Sequence, residues 1–117
     1  MDFLTAIEAL SALAQNARLV AFRLLVEAEP EGMAAGEIAR RLGVPQNTMS
    51  SHLAVLARAG LVRAERRSRS IIYRAELEQI SRLVLFLLQD CCGGRPGLCA
   101  QLIDTLASCQ PAKGECG

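Results

Sequence analysis

Gly43-Val44-Pro45-Gln46-Asn47-Thr48-Met49-Ser50-Ser51-His52-Leu53-Ala54-Val55-Leu56-Ala57-Arg58-Ala59-Gly60 is the stretch that decides the fold. Gly43 suits the left-handed residue that ends one helix, and Pro45 suits the first turn of the next. Met49, Leu53 and Leu56 then recur at helical steps and give a helix over about 45–59 one apolar face. The opposite face carries Gln46, Asn47, Ser50, Ser51, Ala54 and Arg58, and Gly60 closes the helix. A helix that enters a DNA major groove needs this division: an apolar side for anchorage, and a small polar side for base edges.

Upstream, Ile38, Ala39 and Leu42 form the apolar side of a short helix over about 34–42. Downstream the period changes. Residues 61–66 and 70–75 have strand-like composition around Arg67-Ser68-Arg69, so they read as a β-hairpin with a basic tip. Two helices joined by a tight turn and followed by a hairpin make a winged helix-turn-helix. The fold class expected is therefore mainly α with a two-stranded β-hairpin.

Charge supports this layout. The net charge of the 117 residues is only +1, yet Arg40, Arg41, Arg58, Arg63, Arg66, Arg67, Arg69 and Arg74 share their segment with a single acid, Glu65. One part of the chain is thus suited to a polyanion, and the overall sum hides it. Gln46 and Asn47 have the amide chemistry to pair with adenine, and Ser50 and Ser51 can serve base edges or phosphates. Arg58, Arg66, Arg67 and Arg69 are expected on phosphates, where contacts carry little sequence information. Two roles fit His52: a contact to the DNA backbone, or a hydrogen-bonded structural histidine.

Toward the N-terminus, residues 3–14 place Leu4, Ile7, Leu10 and Leu13 at helical steps. Gln15-Asn16 interrupts, and a second helix over about 17–28 repeats the period with Leu19, Phe22, Leu25 and Val26. Glu29-Pro30-Glu31-Gly32 is a stop and turn. A last long helix spans about 76–90, and its run Leu83-Val84-Leu85-Phe86-Leu87-Leu88 is apolar on every side. Such a helix is expected to be buried all round, against its twin in a second subunit or inside one chain. A DNA-binding and dimerisation domain over 1–90 and a Cys-rich tail over 91–117, with one short helix at 98–108, complete the organisation.

No basic run followed by an apolar stretch opens the chain, so no secretory signal is read and a cytoplasmic location is expected. Five cysteines in such a chain read as thiols rather than as a disulfide framework.

On these residues the sequence resembles the ArsR family of metal-responsive repressors, over roughly residues 6–90. Carrying the resemblance are Ala9-Leu10 through Asn16-Ala17-Arg18, the run from Gln46 to Leu56, Ala59-Gly60-Leu61-Val62 and Ile72-Tyr73-Arg74. Its most specific part is Ser-x-His-Leu-x-x-Leu-x-x-x-Gly-Leu, here Ser50 to Leu61. The resemblance implies a homodimer with the first and last helices at its interface, recognition of double-stranded operator DNA by the 45–59 helix, and release on inducer binding.

Sensing chemistry is set by the cysteines. Arsenic-sensing members carry ligands in a Cys-Val-Cys motif on the first helix of the helix-turn-helix, but Met33-Ala34-Ala35-Gly36-Glu37-Ile38 has no cysteine here. The family's Asp/His zinc site on the last helix is disfavoured, because residues 76–90 hold no histidine. What remains is Cys91-Cys92-Gly93-Gly94-Arg95-Pro96-Gly97-Leu98-Cys99, with Cys109 and Cys116 beyond. Trivalent arsenic and antimony are soft and prefer thiolate sulfur. Three thiolates can form a pyramid around the metalloid, and a glycine-rich loop allows the third to turn back over the first two. This looks like the arsenical-sensing subgroup with a vicinal cysteine pair at the end of the last helix. Cys91, Cys92 and Cys99 are the expected ligands of As(III) or Sb(III), arsenite, antimonite or a methylated trivalent arsenical. Cys109 and Cys116 form a second site, replace Cys99, or do neither.

Three alternatives stay open. The same thiols forming disulfides would make a redox-sensing repressor of the same fold. A thiol-dependent arsenate reductase would need a Cys-x-x-Cys, a phosphate-cradling loop or a catalytic histidine near the thiols, and these are missing. A plain DNA-binding module would bind no inducer. No catalytic residue is expected.

Overall fold

The computed structural model describes residues 1–91, with side chains through Leu88. The elements run α1 (Phe3–Leu13), α2 (Asn16–Glu27), β1 (Met33–Ala34), α3 (Ala35–Leu42), α4 (Gln46–Arg58), β2 (Val62–Arg67), β3 (Ser70–Ala75) and α5 (Leu77–Cys91). Met1–Leu83 form one compact unit, and a second unit begins at Val84, within α5. The expected short helix at 98–108 lies outside the described residues.

Local chemistry sets the helix ends. Asp2 caps α1 by accepting from the Thr5 amide at 2.8 Å, and Gln15 caps α2 by accepting from the Arg18 amide at 2.8 Å. Gln15-Asn16 therefore ends one helix and starts the next. Gly43 ends α3 in left-handed backbone (φ 69°), and its N–H bonds back to the Ala39 and Arg40 carbonyls. The next helix starts at Gln46 behind Pro45, whose carbonyl accepts from the Met49 amide at 3.0 Å.

β2 and β3 pair antiparallel, from Val62 opposite Ala75 to Arg67 opposite Ser70, with Ser68-Arg69 as a two-residue turn. The expected hairpin gains a third strand. Met33 and Ala34 pair with Tyr73 and Ile72 and give the sheet order β1-β3-β2. A strand of two residues has no period to read, so it is visible only through its partner.

The core centres on Leu25, Ile38, Met49, Leu53, Leu56 and Leu61, all fully buried. Burial of each such side chain contributes about 1.5–3 kcal/mol. In α1 and α2 only part of the apolar residues is buried. In α1 the buried residues are Ala6, Ala9 and Ala12, while Leu4, Ile7 and Leu10 are 67, 55 and 42 % exposed. The small alanines let α1 lie close on its neighbours and turn the large side chains outward. In α2, Phe22 and Leu25 are buried, but Leu19 and Val26 are exposed.

In α5, Leu83 is buried, yet Leu85 and Leu87 are exposed. No single helix among the described residues is long and apolar enough to cross a membrane.

Candidate nucleic-acid interface

Because Met49, Leu53 and Leu56 are fully buried, α4 cannot roll on its bed. That anchorage turns Gln46, Asn47, Ser50, Ser51, Ala54 and Arg58 outward, and all six are exposed. The apolar and polar faces of this helix stand as the sequence divides them.

Individual side chains differ from the simplest expectation. The Asn47 side-chain oxygen accepts from the Thr48 amide at 2.9 Å, and the Ser51 hydroxyl donates to the Asn47 carbonyl at 3.3 Å. In this conformation the Asn47 side-chain oxygen is engaged, while its NH2 remains a donor. His52 is half-buried, and Arg18 of α2 approaches its Nδ1 at 3.5 Å. The Arg18 Nε donates to the Ala12 carbonyl of α1 at 2.7 Å. Arg18 thus ties α1, α2 and α4 together, a role that no local sequence signal reveals. The two roles open to His52 both remain compatible with this half-buried position. Arg58 lines an open cleft of about 280 Å³ with Ile7, Glu8, Ser11, Arg18 and Val55. It sits where α4 meets α1.

The basic segment is less free than its count suggests. Glu37 pairs with Arg40 and with Arg41. Glu29 pairs with Arg74 at 2.5 Å, and Glu76 pairs with Arg63. Glu65 lies at the centre of a network: it reaches Arg63 at 3.0 Å, Arg67 at 2.9 Å and Arg74 at 3.2 Å. Arg67 also donates to the Glu31 carbonyl at 2.8 Å. In this structure it braces the wing against the turn before β1. Among the described residues, the arginines of this segment without an ion pair are Arg58, Arg66 and Arg69. The Glu65 network had a sequence signal: Arg63, Glu65 and Arg67 alternate at the strand period, which puts them on one face.

Hydrogen bonding from Arg67, and then from Arg63, holds the Glu65 carboxyl below its ordinary value of 4.5. Arg41, and then Arg40, does the same for Glu37. Glu76 first, and then Glu65, raises the already high pKa of Arg63. For a carboxylate with a depressed folded value, the stabilisation is complete above the unfolded value and is lost as pH falls through the folded one. The wing network should therefore hold down to about pH 4.5 and weaken below that. In acid titration followed by circular dichroism, Glu65→Gln should show a shallower loss of stability below that pH than the wild type. An unchanged acid limb would exclude Glu65 as a contributor.

The thiols fall at the edge of the description. Cys91 is the last residue of α5, and Cys92, Cys99, Cys109 and Cys116 lie outside the described residues. Among the described residues no cluster of three or more His, Cys, Asp or Glu side chains could hold a metal ion.

With this geometry in hand, comparison with known proteins is informative. A helix-turn-helix domain family matches residues 13–65. The regulator KmtR of Mycobacterium tuberculosis is 36 % identical over 66 residues, 56 % of this chain and 51 % of that protein. The uncharacterized regulator YbzH of Bacillus subtilis is 38 % identical over 56 residues, 48 % of this chain and 56 % of that protein. The chain thus spans about half the length of these two. The biofilm growth-associated repressor of Agrobacterium fabrum is 33 % identical over 89 residues, 76 % of this chain and 74 % of that protein.

Two solved structures share the architecture. A homodimeric winged helix-turn-helix DNA-binding domain from Mycobacterium bovis, described as a possible ArsR-family regulator, is 28 % identical with a TM-score of 0.60, covering 76 % of this chain and 81 % of that one. An ArsR-like regulator from Rhodococcus is 23 % identical with a TM-score of 0.71, covering 84 % of this chain and 90 % of that one, and shows the shared fold.

The chain belongs to the ArsR family.

As an ArsR-family winged helix-turn-helix, it is similar to proteins described as transcriptional regulators. Its α3 and α4 form the helix-turn-helix, and β2 and β3 form the wing.

Proposed function

We propose that this ArsR-family chain is a transcriptional repressor. It binds double-stranded operator DNA as a homodimer and leaves it when trivalent arsenic or antimony is captured by Cys91, Cys92 and Cys99. The observation that carries the DNA-binding part is α4: three buried apolar anchors on one side, and an exposed row of Gln46, Asn47, Ser50 and Ser51 on the other. The unpaired Arg66 and Arg69 near the wing tip add the cations that phosphates require.

Dimerisation is supported by the outward Leu4, Ile7 and Leu10 of α1 and by the exposed Leu77, Leu85 and Leu87 of α5. Leaving such rows in water is unfavourable, and a second copy offers the same rows in return. A dimer sets two α4 helices roughly 34–36 Å apart to read successive major grooves.

The inducer reading rests on the vicinal pair Cys91-Cys92 and on Cys99 after a Gly-Gly-Arg-Pro-Gly segment. Arsenous acid and three thiols give three As–S bonds and three waters, with no change in oxidation state. A methylated arsenical has two exchangeable positions and needs two thiols. Cys109 and Cys116 are available to a second centre or as replacements for Cys99. Capture at the end of α5 favours a dimer geometry with the wrong groove spacing. A coupling of about 1–3 kcal/mol would weaken DNA binding some 5- to 150-fold.

Fluorescence anisotropy of a labelled operator duplex tests this reading. Arsenite should release wild-type protein, and Cys91→Ser should stay bound at the same concentration. If that variant is released equally well, the site assignment fails. Release by peroxide with no response to arsenite would instead assign the thiols to redox sensing.

A further inference from the structure

Gly36 is the second residue of α3, and its φ is not positive, so the backbone does not require glycine there. Glycine inside a helix is less favourable than alanine. The surroundings of Gly36 supply a different reason for its presence. A β-carbon built on Gly36 would lie 3.3 Å from the Gln46 side-chain oxygen, 3.5 Å from its Cδ and 3.7 Å from its amide nitrogen. All three amide atoms of Gln46 therefore lie over the bare backbone of Gly36. Gln46 is the first residue of α4, at the turn-side end of the exposed polar face.

We infer that Gly36 is a specificity-determining positioning residue: it gives the Gln46 amide its seat, and that seat fixes how the amide meets a base edge. This deepens the reading of α4 as the recognition helix and rests on it. A glutamine reads adenine through two hydrogen bonds at once, its oxygen accepting from N6 and its nitrogen donating to N7. Two simultaneous bonds require the amide plane to lie close to the plane of the base. A methyl group at 3.3 Å would require the amide to give by a few tenths of an ångström, so the pose from which it approaches a base changes. Gly36 itself touches no DNA. Its effect passes entirely through Gln46.

The experiment is selection of bound duplexes from a randomised pool by purified wild type, Gly36→Ala, Gln46→Ala and the double variant. Thermal unfolding of each accompanies it. Gly36→Ala should melt no lower than wild type. It should lose about tenfold of its discrimination at one base position in each half-site, the position that Gln46→Ala also relaxes. In the Gln46→Ala background, Gly36→Ala should add nothing at that position. An unchanged preference in a folded Gly36→Ala, or an equal change with and without Gln46, overturns the inference and leaves the recognition helix standing. Failure of the wild type to select any duplex overturns the reading of α4 itself.

Discussion

Replacing Gly32 by alanine is expected to cost about 3 kcal/mol or more of stability, among the largest effects of a single methyl group in this chain. Two separate penalties meet there. The backbone is left-handed (φ 75°), which is unfavourable by roughly 1–2 kcal/mol for a residue with a β-carbon. That β-carbon would also lie 2.6 Å from the Tyr73 carbonyl oxygen, 2.6 Å from the Ile72 Cγ2 and 2.8 Å from the Arg74 Cγ. The carbonyl belongs to the strand that pairs with β1, so it cannot yield without breaking the pairing of Met33 with Tyr73. The neighbouring Glu31 carbonyl, which braces Arg67, would move as well.

Gly43 provides the control. It is equally left-handed (φ 69°), but a β-carbon there meets nothing within 4 Å. Gly43→Ala should therefore show only the backbone penalty, about 1–2 kcal/mol. Urea unfolding of the two variants separates the contributions. A loss at Gly32 no larger than that at Gly43 would mean that the β1–β3 junction relaxes freely.

The second large effect concerns the outer face of α1. Leu4→Glu combined with Ile7→Glu should convert the protein to a folded monomer and lower operator affinity by about a thousandfold or more. Both side chains are more than half exposed, so the substitutions leave the chain's own core intact. In the proposed dimer each glutamate would be buried without a partner, which is strongly unfavourable. A monomer reads one half-site, and the gap between specific and non-specific DNA binding is typically 10³–10⁷-fold. Sedimentation velocity gives the assembly state, and anisotropy gives the affinity. A variant that stays dimeric would place the subunit contact elsewhere than on α1.

Both results bear on how much the sequence discloses. The recognition helix was legible because its requirements are local: a glycine and a proline set its start, and Met49, Leu53 and Leu56 mark its buried side at helical spacing. The hairpin was legible for the same reason, from strand-like runs around a short turn. The orientation of α1 was not legible. Its large apolar residues keep a helical period, yet the period alone does not say whether they face the chain's own core or a second copy. That the alanines on the opposite side, and not these residues, face the chain's own core is decided only once α2 and α4 lie against them.

Sequence alone determined the helix-turn-helix, the wing, the polar face of α4 and the thiols of the tail, because each depends on residues near one another in the chain. Tertiary structure decided which cations are free. Glu29, Glu37 and Glu76 lie outside the arginine-rich segment in sequence but beside it in space, and they pair with Arg74, Arg40, Arg41 and Arg63. It also decided that Gly32 must be a glycine and that Arg18 joins three helices. Charge pairing and close approach depend on distances across the fold, and a one-dimensional pattern does not contain them.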